Sequence, residues 1–234
     1  MDQSMNNIEI YIIVEGQTEQ SFVRDVLAPQ MATQGIYLYS ALIGKPGHKG
    51  GNIRFDRVKN EIGHFLKQRD DTYISTMFDY FRIDSMWPGK KEVDQQIRNG
   101  ATLTASHKAE WLEVATHEAI VKTFSQFDSE NRFIPYIEMH EFEALLFSDA
   151  NILAEKSKID ILQILKIIEE YKNPEEINDD PLKSPAKRLK TLNSQYRKVV
   201  MGKVIAEAIG IPGIRKQCAH FNNWLTQFEK LKKL

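Results

Sequence analysis

One cysteine, Cys218, is the whole thiol content of this 234-residue chain. A lone thiol cannot close an intramolecular disulfide or build a cysteine zinc cluster. Its scarcity also fits a reducing compartment. Surplus charge is missing as well: 31 Lys and Arg stand against 32 Asp and Glu, for a net charge of −1. With no global basic field, any nucleic-acid surface has to be a local patch. No apolar run approaches the ~20 residues that cross a bilayer. The opening Met-Asp-Gln-Ser-Met-Asn-Asn carries no signal-peptide pattern. Internal repeats and low-complexity segments are also lacking. The expectation is a soluble cytoplasmic protein without membrane contact.

The most informative stretch is Ile8 to Gly16. Ile10 to Val14 is a β-branched and aromatic run, the pattern of a strand buried on both faces in a parallel sheet. Glu15 closes that strand and Gly16 permits a sharp exit. In open α/β sheets this edge is where ligands bind. Glu19 follows, either as a second functional acid or as a first-turn residue complementing a helix dipole. Thr18 to Met31 has a helical stripe (Phe22, Val23, Val26, Leu27), and Ile36 to Ile43 reads as the next strand. Strand, helix, strand is a parallel βαβ opening.

Residues 44–51, Gly-Lys-Pro-Gly-His-Lys-Gly-Gly, hold four glycines, two lysines and a histidine. Glycines let backbone N–H groups approach a ligand, and Lys45, His48 and Lys49 could grip phosphate. The segment is not a Walker A motif, and a plain surface connection is the alternative. Asn52 to Gln68 predicts a helix with Ile53, Val58, Ile62, Phe65 and Leu66 inward. Thr72 to Asp79 predicts a third strand that, like the first, ends in an acid. Two such carboxylates at one sheet edge can share a hard divalent cation, although an Asp beginning a turn is common. Lys90 to Gln126 reads as two helices parted near Gly100. Arg132 to Met139 predicts a fourth strand, with Pro135 marking an edge or a bulge. His140-Glu141-Phe142-Glu143 then opens an expected helix. Glu141 and Glu143 do not share a helical face, so only one should point at a given site. Glu138 and Asp149 are further candidates. The absence of a second histidine at position 144 excludes a His-Glu-x-x-His zinc helix.

Beyond Asn151 only helices are expected, over Ile159–Tyr171, Ser184–Leu192, Tyr196–Ile209 and Ile214–Leu231. An acidic, proline-bounded linker (173–181) interrupts them. Lys183, Lys187, Arg188 and Lys190, extended by Arg197, Lys198 and Lys203, form a basic cluster. It is either a solvated helix face or a track for a phosphate backbone. His220, Phe221 and Trp224 at helical spacing read as core. The expected fold class is α/β: a mainly parallel sheet of about four strands flanked by helices (1–150), with an all-helical C-terminal extension (151–234) packed on it.

Val14-Glu15-Gly16-Gln17-Thr18-Glu19 resembles the first motif of Toprim domains in the form used by overcoming-lysogenization-defect nucleases. The wider pattern is closer still to one prokaryotic family, Domain of Unknown Function 4276. The matching pieces are this motif, Thr76-Met77-Phe78-Asp79-Tyr80-Phe81, Ile134-Pro135-Tyr136-Ile137, His140 to Phe147, Ser184 to Leu189, and Ile214-Arg215-x-x-Cys218-x-His220-Phe221-x-x-Trp224. The His-Glu-Phe-Glu-Ala-Leu-Leu-Phe run is the most specific of them.

Toprim kinship implies a compact sheet with flanking helices, Mg²⁺ or Mn²⁺, and phosphodiester chemistry. Glu15 matches the metal-binding Glu of Toprim enzymes, and Asp79 the first Asp of their Asp-x-Asp motif. Phe81 stands where the second Asp is expected, and Asp84, Glu141 or Glu143 could substitute. The resemblance also suggests a neighbouring ATPase partner and a role in phage defence or genome maintenance. The preferred reading is a metal-dependent nuclease, or a related phosphoryl-transfer enzyme, acting on DNA or RNA. Glu15, Asp79 and Glu141 or Glu143 would hold the metal. Glu19 or His140 would serve as general base. Lys45, His48 and Lys49 would neutralise phosphate, and Lys187 and Arg188 would track the backbone. The rival is a catalytically degenerate protein that binds nucleic acid or docks on an ATPase, which Phe81 favours. A hydrolase of small phosphorylated metabolites is a third reading.

Overall fold

The computed structural model describes residues 7–43, 53–177 and 180–234. Strand β1 (Ile8–Val14) enters a helical stretch, 17–32, composed of α1 (Gln17–Phe22), a π-type turn (Val23–Leu27) and α2 (Ala28–Ala32); the chain then returns through β2 (Ile36–Leu42). The widened turn directly precedes Pro29, which has no N–H and whose ring would strike the carbonyl four residues back in a regular helix. Next come α3 (Phe55–Gln68), β3 (Tyr73–Asp79), α4 (Lys90–Arg98), α5 (Ala105–Phe124) and the short α6 (Ser129–Arg132). They are followed by β4 (Phe133–Ile134), β5 (Ile137–Glu138) and a 3-10 stretch (Phe142–Ser148). The remainder is α7 (Ala150–Ser157), α8 (Ile161–Tyr171), α9 (Pro185–Leu192), α10 (Lys198–Gln217) and α11 (Ala219–Glu229), with short 3-10 turns between.

The sheet is parallel throughout, in the order β2-β1-β3-β4, with β5 also paired to β3. The fold is α/β, as the sequence predicts. β1 and β3 are the central strands, and β3 is buried along its whole length. Successive side chains alternate between the sheet faces, and two apolar clusters follow from that. Ile10, Ile12, Val14, Tyr73 and Met77 join the layer formed by α1, α2 and α7 to α11. Ile13, Ile74 and Phe78 join the layer formed by α3 to α5.

Four expectations need correction. The strand expected over 132–139 is two short pieces, because Pro135 has no N–H to offer the ladder. Thr76 mends the gap: its hydroxyl donates to Tyr136 O (3.0 Å) and accepts from Tyr136 N–H (2.9 Å). The helix expected after His140 is a 3-10 stretch that begins only at Phe142. Ile53 precedes α3 and forms a bridge with Ile83 instead of lining the helix. In the C-terminal region α7 is an additional helix, and α10 runs through the expected gap after Ile209 with a kink at Gly210 (φ 74°) before ending at Gln217.

The C-terminal helices share their core with the strands. Trp224 stacks on Tyr136 with ring centroids 4.2 Å apart, and its Nε1–H donates to Ser75 Oγ on β3 at 2.9 Å. Tyr136 lies between Trp224 and His220. His220, Phe221 and Trp224 all pack within this aromatic group, as their helical spacing predicts. Trp224→Ala should therefore cost about 3–5 kcal/mol while urea unfolding remains a single transition. Two separated transitions in the wild type would show instead that the helical extension is an independent unit.

Candidate active site at the sheet switch point

β1 is followed in space by β2 on one side and by β3 on the other, so the chain's direction of growth reverses between β1 and β3. At such a switch point the strand C-termini open a crevice. Glu15 lies one residue past Val14, and Asp79 ends β3, whose Met77 pairs with Val14. The register thus delivers both acids to the mouth of the same crevice. Asp79 continues the face of Tyr73 and Met77, the face covered by the C-terminal helices, and this lets a residue of α10 reach it.

Asp79 is 4 % exposed, and its Oδ1 accepts the Phe142 N–H at 3.0 Å. Burial, then the charge of Glu19, pushes its carboxyl well above the ordinary range, with Glu15 and Glu143 adding to the push. Glu15 is also raised, chiefly by burial, against the opposing pull of Arg82. Arg82 Nε donates to Glu15 Oε1 at 2.6 Å, while Glu15 Oε2 is buried without a partner. Glu19 is buried and folds over Gly16; a Cβ built on Gly16 would come within 2.9 Å of Glu19 Oε2. Glu143 is fully buried and pushed up to about 7, mainly by burial and against the pull of Lys198. Lys198 Nζ lies 2.9 Å from Glu143 Oε2, an ion pair whose alignment falls short of a hydrogen bond. Burial disfavours the Lys198 charge, yet Glu143, Asp79 and Glu141 outweigh it and hold the ammonium above its ordinary value.

Four carboxylates (Glu15, Glu19, Asp79, Glu143) thus meet two cations, Arg82 and Lys198, leaving two negative charges in excess when all are ionised. Among the described residues, no three His, Cys, Asp or Glu side chains are gathered closely enough to hold a metal ion. The donor set is nonetheless all oxygen, over-charged and partly orphaned, which suits a hard divalent cation such as Mg²⁺ or Mn²⁺. Any such ion has to draw these carboxylates together against Arg82 and Lys198.

Glu141 stands at the rim of this centre, its charge acting on Glu143, Lys198 and Arg82, while the remaining sequence candidates lie elsewhere. Glu141 Oε2 accepts the Ala186 N–H at 3.1 Å, in the first turn of α9. Glu138 accepts the Tyr136 hydroxyl at 2.8 Å, Asp149 caps α7 through the Ile152 N–H, and Asp84 accepts the Met86 N–H in a turn. His140 is buried, with its ring stacked on Phe81 at 5.2 Å and edge-on to Tyr80. Arg188 is tied to the Lys183 carbonyl and the Tyr171 hydroxyl, whereas Lys187 borders a surface cavity. Lys45, His48 and Lys49 lie outside the described residues. Sequence reasoning missed Arg82 and Lys198 as members of the acidic centre. Arg82 follows Asp79 closely enough to have been suspected. Lys198 stood only as one charge in a basic cluster, and nothing local marks its partner.

Glu143 sets a pH dependence of stability. Lys198, Glu141, Glu19 and Asp79 all act on it. Its folded pKa is raised from 4.5 to about 7, so between those values the folded state binds the extra proton. This contribution to stability is present at low pH and is lost as pH rises through the window. In EDTA, Glu143→Gln should gain on wild type by roughly 3 kcal/mol between pH 4.5 and 8, read from urea unfolding at a series of pH values. Parallel pH profiles for the two proteins would place the Glu143 titration elsewhere.

No curated protein and no solved structure matches the chain. A family model described as Domain of unknown function (DUF4276) matches residues 14–229, from the end of β1 to the end of α11. The span takes in both strand-end acids as well as Glu143 and Lys198, and the chain belongs to this DUF4276 family.

Proposed function

We propose that this protein is a divalent-metal-dependent nuclease, or a closely related phosphoryl-transfer enzyme, acting on DNA or RNA. The observation that carries this reading is the convergence of Glu15 and Asp79 at the β1/β3 switch point, joined by Glu19 and Glu143, with negative charge in excess. Phe81 contributes no donor at the position where Toprim enzymes keep a second Asp. In this reading Glu143, arriving from another segment, supplies the missing carboxylate.

Glu15, Asp79 and Glu143 would hold Mg²⁺ or Mn²⁺. Such an ion, when bound, polarises a phosphoryl oxygen and acidifies a water. The remaining chemistry belongs to the chain. Lys198 and Arg82 would turn from their carboxylate partners to non-bridging phosphate oxygens, neutralising charge that grows during displacement. Glu19, lying against Gly16 at the crevice mouth, takes the proton of the attacking water. His140, enclosed by rings, is a weaker candidate for that role. An ATPase partner and a role in phage defence or genome maintenance belong to this reading through the sequence resemblance alone.

The rival, a degenerate protein that binds nucleic acid or docks on an ATPase, draws support from Arg82 and Lys198, which already neutralise two of the acids. Cleavage of plasmid and single-stranded substrates with Mg²⁺ or Mn²⁺ separates the two. The wild type should cut, and Glu15→Gln or Asp79→Asn should lose at least ~100-fold in rate. Isothermal titration should show Mn²⁺ binding that both substitutions abolish. Metal-dependent cutting that survives Glu15→Gln would falsify the assignment. Absence of both cutting and Mn²⁺ binding favours the rival.

A further inference from the structure

The two edges of the sheet differ. The β4 edge is two residues long and is cut off by Pro135, a common protection against pairing with other chains. β2, at the opposite edge, has none of the usual guards. It runs for seven residues, Ile-Tyr-Leu-Tyr-Ser-Ala-Leu, without a charge, proline or glycine, and no bulge breaks its register with β1.

That register fixes which way each backbone group points. Ile8 N–H donates to Gly35 O and Ile43 N–H to Val14 O, both at 2.9 Å. Alternate residues of a paired strand turn their N–H and C=O to the same side, so Tyr37, Tyr39 and Ala41 face β1. Ile36, Leu38, Ser40 and Leu42 turn theirs outward, and none of the described residues hydrogen-bonds to them there. Tyr39 is 43 % exposed and stacks on Tyr11 at 5.3 Å, which in turn meets Phe65 at 4.9 Å. The charges acting on Tyr39 are those of Glu9 and Arg69, which pair with each other at 2.6 Å.

We propose that β2 is the two-fold interface of a homodimer, pairing antiparallel with β2 of a second copy so that the two sheets become one. The outward residues set the register. A two-fold axis at Tyr39 puts Leu38 opposite the partner's Ser40 and Ile36 opposite the partner's Leu42. Each outward residue then faces another outward residue, the arrangement in which antiparallel neighbours exchange both hydrogen bonds. Tyr39 meets its own copy in a non-hydrogen-bonded pair, where side chains approach most closely, and the row of Phe65, Tyr11 and Tyr39 continues across the axis. An isologous contact sets the central side chains against their own copies, and β2 brings no charge there to be repelled. The interface stands apart from the nuclease reading and does not depend on it.

Sedimentation equilibrium over ~1–100 µM protein tests this, because dimer population follows protomer concentration. The wild type should fit a monomer–dimer equilibrium whose dimer has twice the 27.1 kDa of one chain. Tyr39→Lys and Tyr39→Glu each set like charges against each other at the axis, and each should raise the dimer Kd at least ~10-fold. Mixed in equal amounts, the two variants should dimerise again, because opposite charges now face. Ser40→Pro removes an N–H that points away from β1, so it should dissociate the dimer while the far-UV circular dichroism stays unchanged. A monomeric wild type overturns the proposal and leaves the edge to an extended segment of another protein. A dimer that tolerates these substitutions, or charge variants that remain monomeric when mixed, overturns it as well.

Discussion

Confining like charges in a space that excludes water is the constraint around which this molecule is arranged. Asp79 and Glu143 are almost or wholly shielded from solvent, and Glu15 and Glu19 stand beside them. Without counter-charges such a cluster would protonate or open. Two cations from distant parts of the chain prevent this: Arg82 from the turn after β3 and Lys198 from the start of α10. Burial, working against the pull of Lys198, leaves Glu143 pushed up to about 7, a value at which small changes in surroundings shift its charge. Carboxylates tuned in this way are common at reactive sites and also occur in structural networks.

The sheet explains why the acids meet. Parallel strands send all their C-termini to one edge, and the order β2-β1-β3-β4 puts the reversal between the two strands that end in Glu15 and Asp79. Alternation along β3 then aims Asp79 at the face where α10 packs. The apolar cluster on that face runs from Ile8 to Phe228, so strand residues and C-terminal helices are held in register by one body of contacts.

Much of this arrangement could be read from the residues. The three main strands announced themselves by β-branched runs, and the acids at their ends stood out because a charge there interrupts an apolar pattern. Pro135 foretold a fault in the fourth strand, and Trp224 was recognisable as core from its helical spacing. What escaped was everything decided by long-range docking. Glu141 and Glu143 were indistinguishable because periodicity assumes a regular helix, and the 3-10 geometry over Phe142–Ser148 changes which residue turns inward. Lys198 looked like any surface lysine until α10 carried it to Glu143. Gly210 ended a helical pattern in the sequence, whereas the fold uses its positive φ to bend α10 and resume it at once, with Pro212 in the first turn of the new segment.

The placement of Lys198 has a consequence for biosynthesis. A ribosome releases β1 and β3 well before the stretch that begins α10, so an emerging chain holds its acids without their ammonium partner. In that interval the sheet edge repels itself and has reason to stay loose. The crevice acquires its final charge balance only when the later helices arrive, which ties formation of the pocket to translation of a remote segment.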